Sequence, residues 1–218
     1  PDDGTDFSAG LGKGVAGLKV GLSPDLGFME LDAEVEAAVR AAADVFGDLG
    51  AEVVEATPEI EDPIAPYYVL VRLAARAIVD SVPAAKRPLL NEQMRKDAAA
   101  ADRHTAMDVK HAELEQRRIG AAMAQFFTGF DIMLTAATSV PAFDVGMSDP
   151  DNGKRADLPW SGALYTTNFT RQPGLSVPCG LTSDGLPVGL HVVGARHADA
   201  MVLRAAAAYE AARPGVGH

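Results

Sequence analysis

The spacing of apolar and polar positions changes several times along this chain, and each change marks a new element. Leu18-Lys19-Val20-Gly21-Leu22 alternates apolar residues with small or polar ones, the pattern of a strand. Ser23-Pro24-Asp25 is turn chemistry. Asp32 then offers a helix N-cap, and Glu34 and Glu36 place negative charge in the first turn. Val35, Val39, Ala42, Phe46 and Leu49 recur at helical spacing until Gly50 stops the run. Ala51 to Ala56 is a second strand. Strand, helix, strand over this length predicts a parallel pair with a right-handed crossover.

From Asp62 to about Phe130 the pattern is mostly helical. Tyr67 to Val82, Leu89 to Ala101 and Thr105 to Phe127 are the candidate helices. In the last, Val109, Ala112, Ile119, Met123 and Phe126 form an apolar stripe opposite Lys110, Glu113, Arg117 and Arg118. Asp131-Ile132-Met133-Leu134-Thr135 is a short buried strand. Residues 141–159 are turn-rich and predict a long loop. Trp160 to Gln172 predicts a helix. Leu175 to Pro178 and Pro187 to Gly194 predict a hairpin about Asp184-Gly185, with Val188, Leu190 and Val192 on one face and Gly189, His191 and Val193 on the other. Asp199 to Arg213 closes as an Ala-rich helix. The expected fold class is α/β, a mixed sheet flanked by helices, with a parallel unit first and an antiparallel hairpin last.

Composition narrows the function classes. Apolar residues at 48% against 22% charged are the balance of a globular chain rather than a disordered one. The net charge is −11, and no basic run exceeds two residues, which argues against gripping a nucleic-acid backbone. One cysteine, Cys179, excludes an internal disulfide and favours a reducing, cytoplasmic setting. No run approaches the roughly 18–20 apolar residues of a membrane span. The chain opens on Pro1 followed by a polar run, and the expectation is that this start is a cut point in a longer chain.

Three segments together carry a resemblance. They are Phe130-Asp131-Ile132-Met133-Leu134-Thr135-Ala136-Ala137-Thr138-Ser139-Val140-Pro141-Ala142-Phe143, then Asn168-Phe169-Thr170-Arg171-Gln172-Pro173-Gly174-Leu175-Ser176-Val177-Pro178-Cys179-Gly180, then Asp184-Gly185-Leu186-Pro187-Val188-Gly189-Leu190-His191-Val192-Val193-Gly194. In tandem these resemble the amidase-signature family, over nearly the whole chain and most weakly across residues 59–129. Two positions depart from the family's pattern: Ala136 stands where it prefers Pro, and Arg171 where it often has Gly. The resemblance implies a single unit over 1–218, the C-terminal half of a larger three-layer α/β/α amidase domain with a helical section at about 62–130. It also implies a serine amidohydrolase that works through an acyl-enzyme, without metal or cofactor. The family's Ser–Ser–Lys triad lies in a Gly- and Ser-rich stretch. This sequence contains no Ser-Ser and no Gly-Ser dipeptide, so no catalytic residue is assigned here and the chain alone is expected to be inactive.

Each remaining candidate has a plainer reading beside it. Trp160, Tyr165, Asn168, Thr170 and Gln172 cluster in sequence near the second segment and are the expected substrate-binding residues. The alternative is core anchoring by Trp160 and helix-end hydrogen bonding by Asn168. His104, Asp108 and His111, spaced to share a helical face, could suggest a metal site, but a solvated polar face is the expected reading. Cys179 reads as a small buried residue, and His191 as a sheet-face histidine with its hydrogen bonds satisfied. Gly10 to Gly14 lacks the Lys-Ser/Thr of a phosphate loop.

The expected partner is a small-molecule amide bound by the complete enzyme, with no nucleic acid and no membrane. The alternative is a non-catalytic binding or assembly module, or a piece of an A-type amidotransferase chain. If central strands lie elsewhere, this chain exposes a sheet edge and an apolar face and is expected to self-associate.

Overall fold

The computed structural model describes residues 4–147 and 160–213. Five strands form one mixed sheet in the order β2-β1-β3-β5-β4. They are β1 (Lys19–Leu22), β2 (Glu52–Glu55), β3 (Ile132–Ala136), β4 (Gly174–Leu181) and β5 (Pro187–Gly194). β1 runs parallel to both β2 and β3, whereas β5 runs antiparallel to β3 and to β4. The βαβ unit and the closing hairpin thus form as the patterns predict. Local spacing did not disclose that β3 sits between them and joins the two. Most of the predicted long loop, residues 148–159, lies outside the described residues.

The helix connecting β1 to β2 is α1 (Ala33–Asp48), capped by the Asp32 carboxylate, which accepts from the amides of Glu34 and Val35. It ends before Gly50, whose φ of 87° is a conformation that costs glycine little. α1 and the last helix, α6 (Asp199–Ala212), cover one face of the sheet. There Val20, Leu22, Leu134, Val177, Leu190 and Val192 pack against Val35, Val39, Phe46, Val202 and Tyr209. Phe46 and Tyr209 stack with centroids 5.5 Å apart.

The intervening segment folds as α2 (Ile64–Ser81), α3 (Glu92–Ala100) and α4 (Ala106–Phe126); α2 starts a few residues earlier than the pattern suggests, and α3 a few later. A short 3₁₀ segment, Ala84–Leu89, separates α2 from α3: α2 stops where Pro83 follows an extended Val82, and Pro88 lies within the 3₁₀ turns. α4 begins with a capping box in which Thr105 and Asp108 satisfy each other's backbone N–H groups. Its Ile119 and Met123 turn inward as the stripe requires. Met123 joins Leu26, Met29, Met133, Ala163 and Val193 on the second face of the sheet. The short helix α5 (Gly162–Thr170) lies on this second face, and seven of its nine residues are buried.

Candidate active-site edge

In an open α/β sheet, ligands sit beyond the carboxyl ends of the parallel strands. Here β1 and β3 end side by side, and a ring of hydrogen bonds fixes the loops that leave them. The amide of Ser23 donates to Leu134 O at 2.9 Å, while the Ala136 amide and the Thr135 hydroxyl both donate to Pro24 O at 3.0 Å. The Ser23 hydroxyl donates to Thr57 Oγ1 at 3.0 Å, which ties in the segment after β2. Ala137 N donates to Gly189 O at 3.0 Å, bringing the start of β5 to the same edge. Ser139 joins two more segments: its amide donates to Trp160 O and its carbonyl accepts from Asp32 N, both at 2.8 Å. The first and third motif segments therefore meet at one edge, together with the entrance of α5.

Trp160 lies at that entrance, half-buried, with its ring edge-on to Phe143 at 5.3 Å. Gly162 follows, packed under Met29 and Phe28: a Cβ there would approach Met29 Sδ to 2.7 Å, so a larger residue would force those side chains to shift. Tyr165 points sideways. Its hydroxyl donates to Asp62 Oδ1 at 2.6 Å, and its ring packs on Tyr67 at 5.4 Å. Burial, reinforced by the Asp62 carboxylate, holds the Tyr165 phenol well above its ordinary range, so it acts as a fixed donor and not as a base. Asp62 Oδ1 also accepts from Ile64 N at 3.0 Å and so ties the start of α2 to α5.

The other sequence-selected residues separate from Trp160. Asn168 is exposed on α5. Thr170, buried, returns its hydroxyl to Thr166 O at 2.8 Å, and the Gln172 side-chain oxygen contacts the same hydroxyl. Gln172 lies with Arg196 in a depression at the far end of α5. The five residues thus divide: Trp160 at the strand edge, Tyr165 against α2, Asn168 facing solvent, and Thr170 with Gln172 at the opposite helix end. Phe143 and Asp62 were not among the sequence candidates, because their pairing with Trp160 and Tyr165 arises only in the fold: Asp62 lies 103 positions from Tyr165. An acidic residue just before a helix was the one available signal for Asp62.

The remaining candidates resolve individually. α4 starts at Ala106, so His104 precedes the helix and leaves the shared face that its spacing suggested. Its Nε2 lies 3.5 Å from Arg72, Asp108 is engaged with Thr105, and no metal-binding group is found among the described residues. Cys179 is buried on the α1/α6 face, where desolvation pushes its thiol up to about 11. His191 corrects the expectation of a satisfied histidine. It is 3% exposed, burial pulls it down to about 4, and its Nδ1 has no hydrogen-bond partner among the described residues. Gly174 makes room for its ring: a Cβ there would lie 2.5 Å from His191 Nε2. No helix among the described residues is long and apolar enough to cross a membrane.

Comparison with known proteins places this geometry. The Amidase family model matches residues 1–203. An acylamidase of Rhodococcus erythropolis is 30% identical over 209 residues, 92% of this chain and 43% of its own. The A chain of the glutamyl-tRNA(Gln) amidotransferase of Myxococcus xanthus is 32% identical over 94% of this chain and 47% of its own. The crystal structure of a bacterial aryl acylamidase of the amidase-signature family superposes with a TM-score of 0.82 at 28% identity, covering 96% of this chain and 46% of that one. The chain therefore spans about half the length of the relatives it matches. A family model matched over most of the chain, a shared α/β fold and two motif segments meeting at one sheet edge make this chain a member of the amidase-signature family.

Proposed function

We propose that this chain is the C-terminal part of a serine amidohydrolase that cleaves carbon–nitrogen amide bonds through an acyl-enzyme. The observation that carries the reading is the family match over residues 1–203. In this reading the nucleophile, its activating Ser–Lys pair and the oxyanion donors come from a part of the domain that this sequence does not contain. The β1/β3 edge contributes the floor of the site, and Trp160 with Phe143 forms one apolar wall for the substrate. Tyr165 and Asp62 act one layer behind, fixing α5 against α2 so that the wall keeps its place. Thr170, Gln172 and the exposed Asn168 lie farther along α5 and contribute to the site only through that helix.

The test is hydrolysis of a simple anilide by this chain alone and by the chain rejoined to a Gly/Ser-rich amidase N-terminal half. Turnover only in the joined protein supports the reading; turnover by the isolated chain overturns the missing-triad assignment. Within the described residues β4 pairs only with β5 and β2 only with β1, so the isolated chain is expected to self-associate, as light scattering would reveal. A second reading has its own support, since glutamyl-tRNA(Gln) amidotransferases are among the relatives. It predicts that the joined protein passes ammonia from glutamine to an activated carboxylate and needs companion chains to do so. Transfer of the acyl group to water, with release of the free amine and no need of such an acceptor, favours the hydrolase.

A further inference from the structure

At the far end of α5, three arginines from three elements meet. Arg117 comes from α4, Arg171 from the C-cap of α5 and Arg196 from the connection between β5 and α6; with Glu113 and Gln116 they line a depression of about 300 Å³. None of the three forms an ion pair among the described residues, and the nearby Glu113 is engaged by Lys110 at 3.2 Å. In a chain of net charge −11, a cluster of unpaired guanidiniums runs against the general balance.

Two of the three are placed at some cost or by specific bonds. Arg196 Nε donates to Thr170 O at 2.9 Å, and Gln116 Nε2 donates to Phe169 O at 2.8 Å, so the last carbonyls of α5 hold both side chains in position. Arg171 has a φ of 62°, a left-handed conformation in which glycine would meet no steric penalty. The turn itself is held by the Arg171 and Gln172 amides, which both donate to Thr167 O, whereas the Arg171 side chain makes no hydrogen bond among the described residues and stays available to a ligand. Arg196 also borders a second, mainly apolar depression of about 280 Å³, lined by Gly120, Ala124, Phe127, Gln172 and Ala195.

We propose that the arginine cluster binds a phosphoryl group, either free phosphate or a phosphate monoester whose organic part lies along the second depression. Three arginines and Glu113 give the depression a formal charge of +2, which a phosphate dianion neutralises. Guanidinium forks donate in pairs to oxygens of a multi-oxygen anion, and three of them exceed what one planar carboxylate accepts.

The test titrates the full chain with inorganic phosphate and with phenyl phosphate at fixed ionic strength, followed by calorimetry and ³¹P line broadening. The comparison is the Arg117→Gln, Arg171→Gly double variant, which removes two guanidiniums that hold no structural bond and leaves Arg196 on its carbonyl. Saturable binding that weakens at least tenfold in the double variant is the expected result. Tighter binding of phenyl phosphate than of phosphate identifies a monoester site; equal affinity identifies a free-phosphate site. Failure of both probes to saturate, or equal binding by the double variant, overturns the proposal.

Discussion

The two faces of the sheet are built on different principles. The face under α1 and α6 is a continuous aliphatic and aromatic layer, in which Leu134, Leu190 and Val192 meet Val39, Phe46 and Tyr209. The opposite face is smaller and rich in methionine, with Met29, Met123 and Met133 at its centre. It also buries polar groups: Thr135, Thr166, Thr170 and His191 are all 3% exposed or less. The first face needs only complementary volume. The second must find partners for its polar atoms, and for the three threonines it does so through loop carbonyls and the backbone of α5. The candidate active-site edge and the arginine cluster both border the second face, where the chain has traded simple burial for placed polar atoms.

The largest test of this contrast is Phe46→Ala. Phe46 is fully buried and stacked on Tyr209, so truncation should destabilise the chain by about 3–5 kcal/mol, read as a lower urea midpoint at unchanged slope. A loss below about 1 kcal/mol would mean that the aliphatic face is not the main source of stability.

The second face should reveal itself through pH. His191 titrates near 4 in the folded chain because of burial alone, against about 6.5 when unfolded. The unfolded state therefore takes up the proton first as pH falls. Stability is complete above about pH 6.5 and declines between about 6.5 and 4, by about 3 kcal/mol in all. Denaturation at pH 7 and pH 4.5 for wild type and His191→Met should show this loss in the wild type only.

Tyr165→Phe removes the hydroxyl that joins α5 to Asp62. A hydrogen bond to a charged acceptor contributes about 1.5–3 kcal/mol, and Asp62 keeps partial access to water, so a loss near the lower figure is expected. A double-mutant cycle with Asp62→Asn should find coupling of about 1 kcal/mol; additive effects would disconnect the pair. The smallest effect has the opposite sign. Arg171→Gly relieves a left-handed φ and should raise stability by less than about 1 kcal/mol, visible as a small upward shift of the thermal midpoint. A drop instead would assign the Arg171 side chain a structural role.

The elements were legible where one pattern acted locally. Asp32 with its acidic first turn marked the start of α1, and the alternation in residues 187–194 correctly assigned Val188, Leu190 and Val192 to one face and His191 to the other. The Thr105–Asp108 cap was hidden for the opposite reason: its two residues read as a helix start and as a metal candidate, and only the backbone made them partners. The proposed substrate residues were the least legible. Proximity in sequence put Trp160 and Gln172 together, but one helix of nine residues sends them to opposite ends.

Sequence by itself determined the periodicities, the Asp32 cap and the three motif segments, because each depends on residues a few positions apart. Those were sufficient for the α/β class and for the family. Tertiary structure alone decided that β3 bridges the parallel unit and the hairpin, that Asp62 meets Tyr165, that His191 loses water while its Nδ1 gains no partner among the described residues, and that Arg117, Arg171 and Arg196 converge. Such facts depend on which distant segments share a face, and the energy that selects them comes from burial summed over the whole core, which no local window contains.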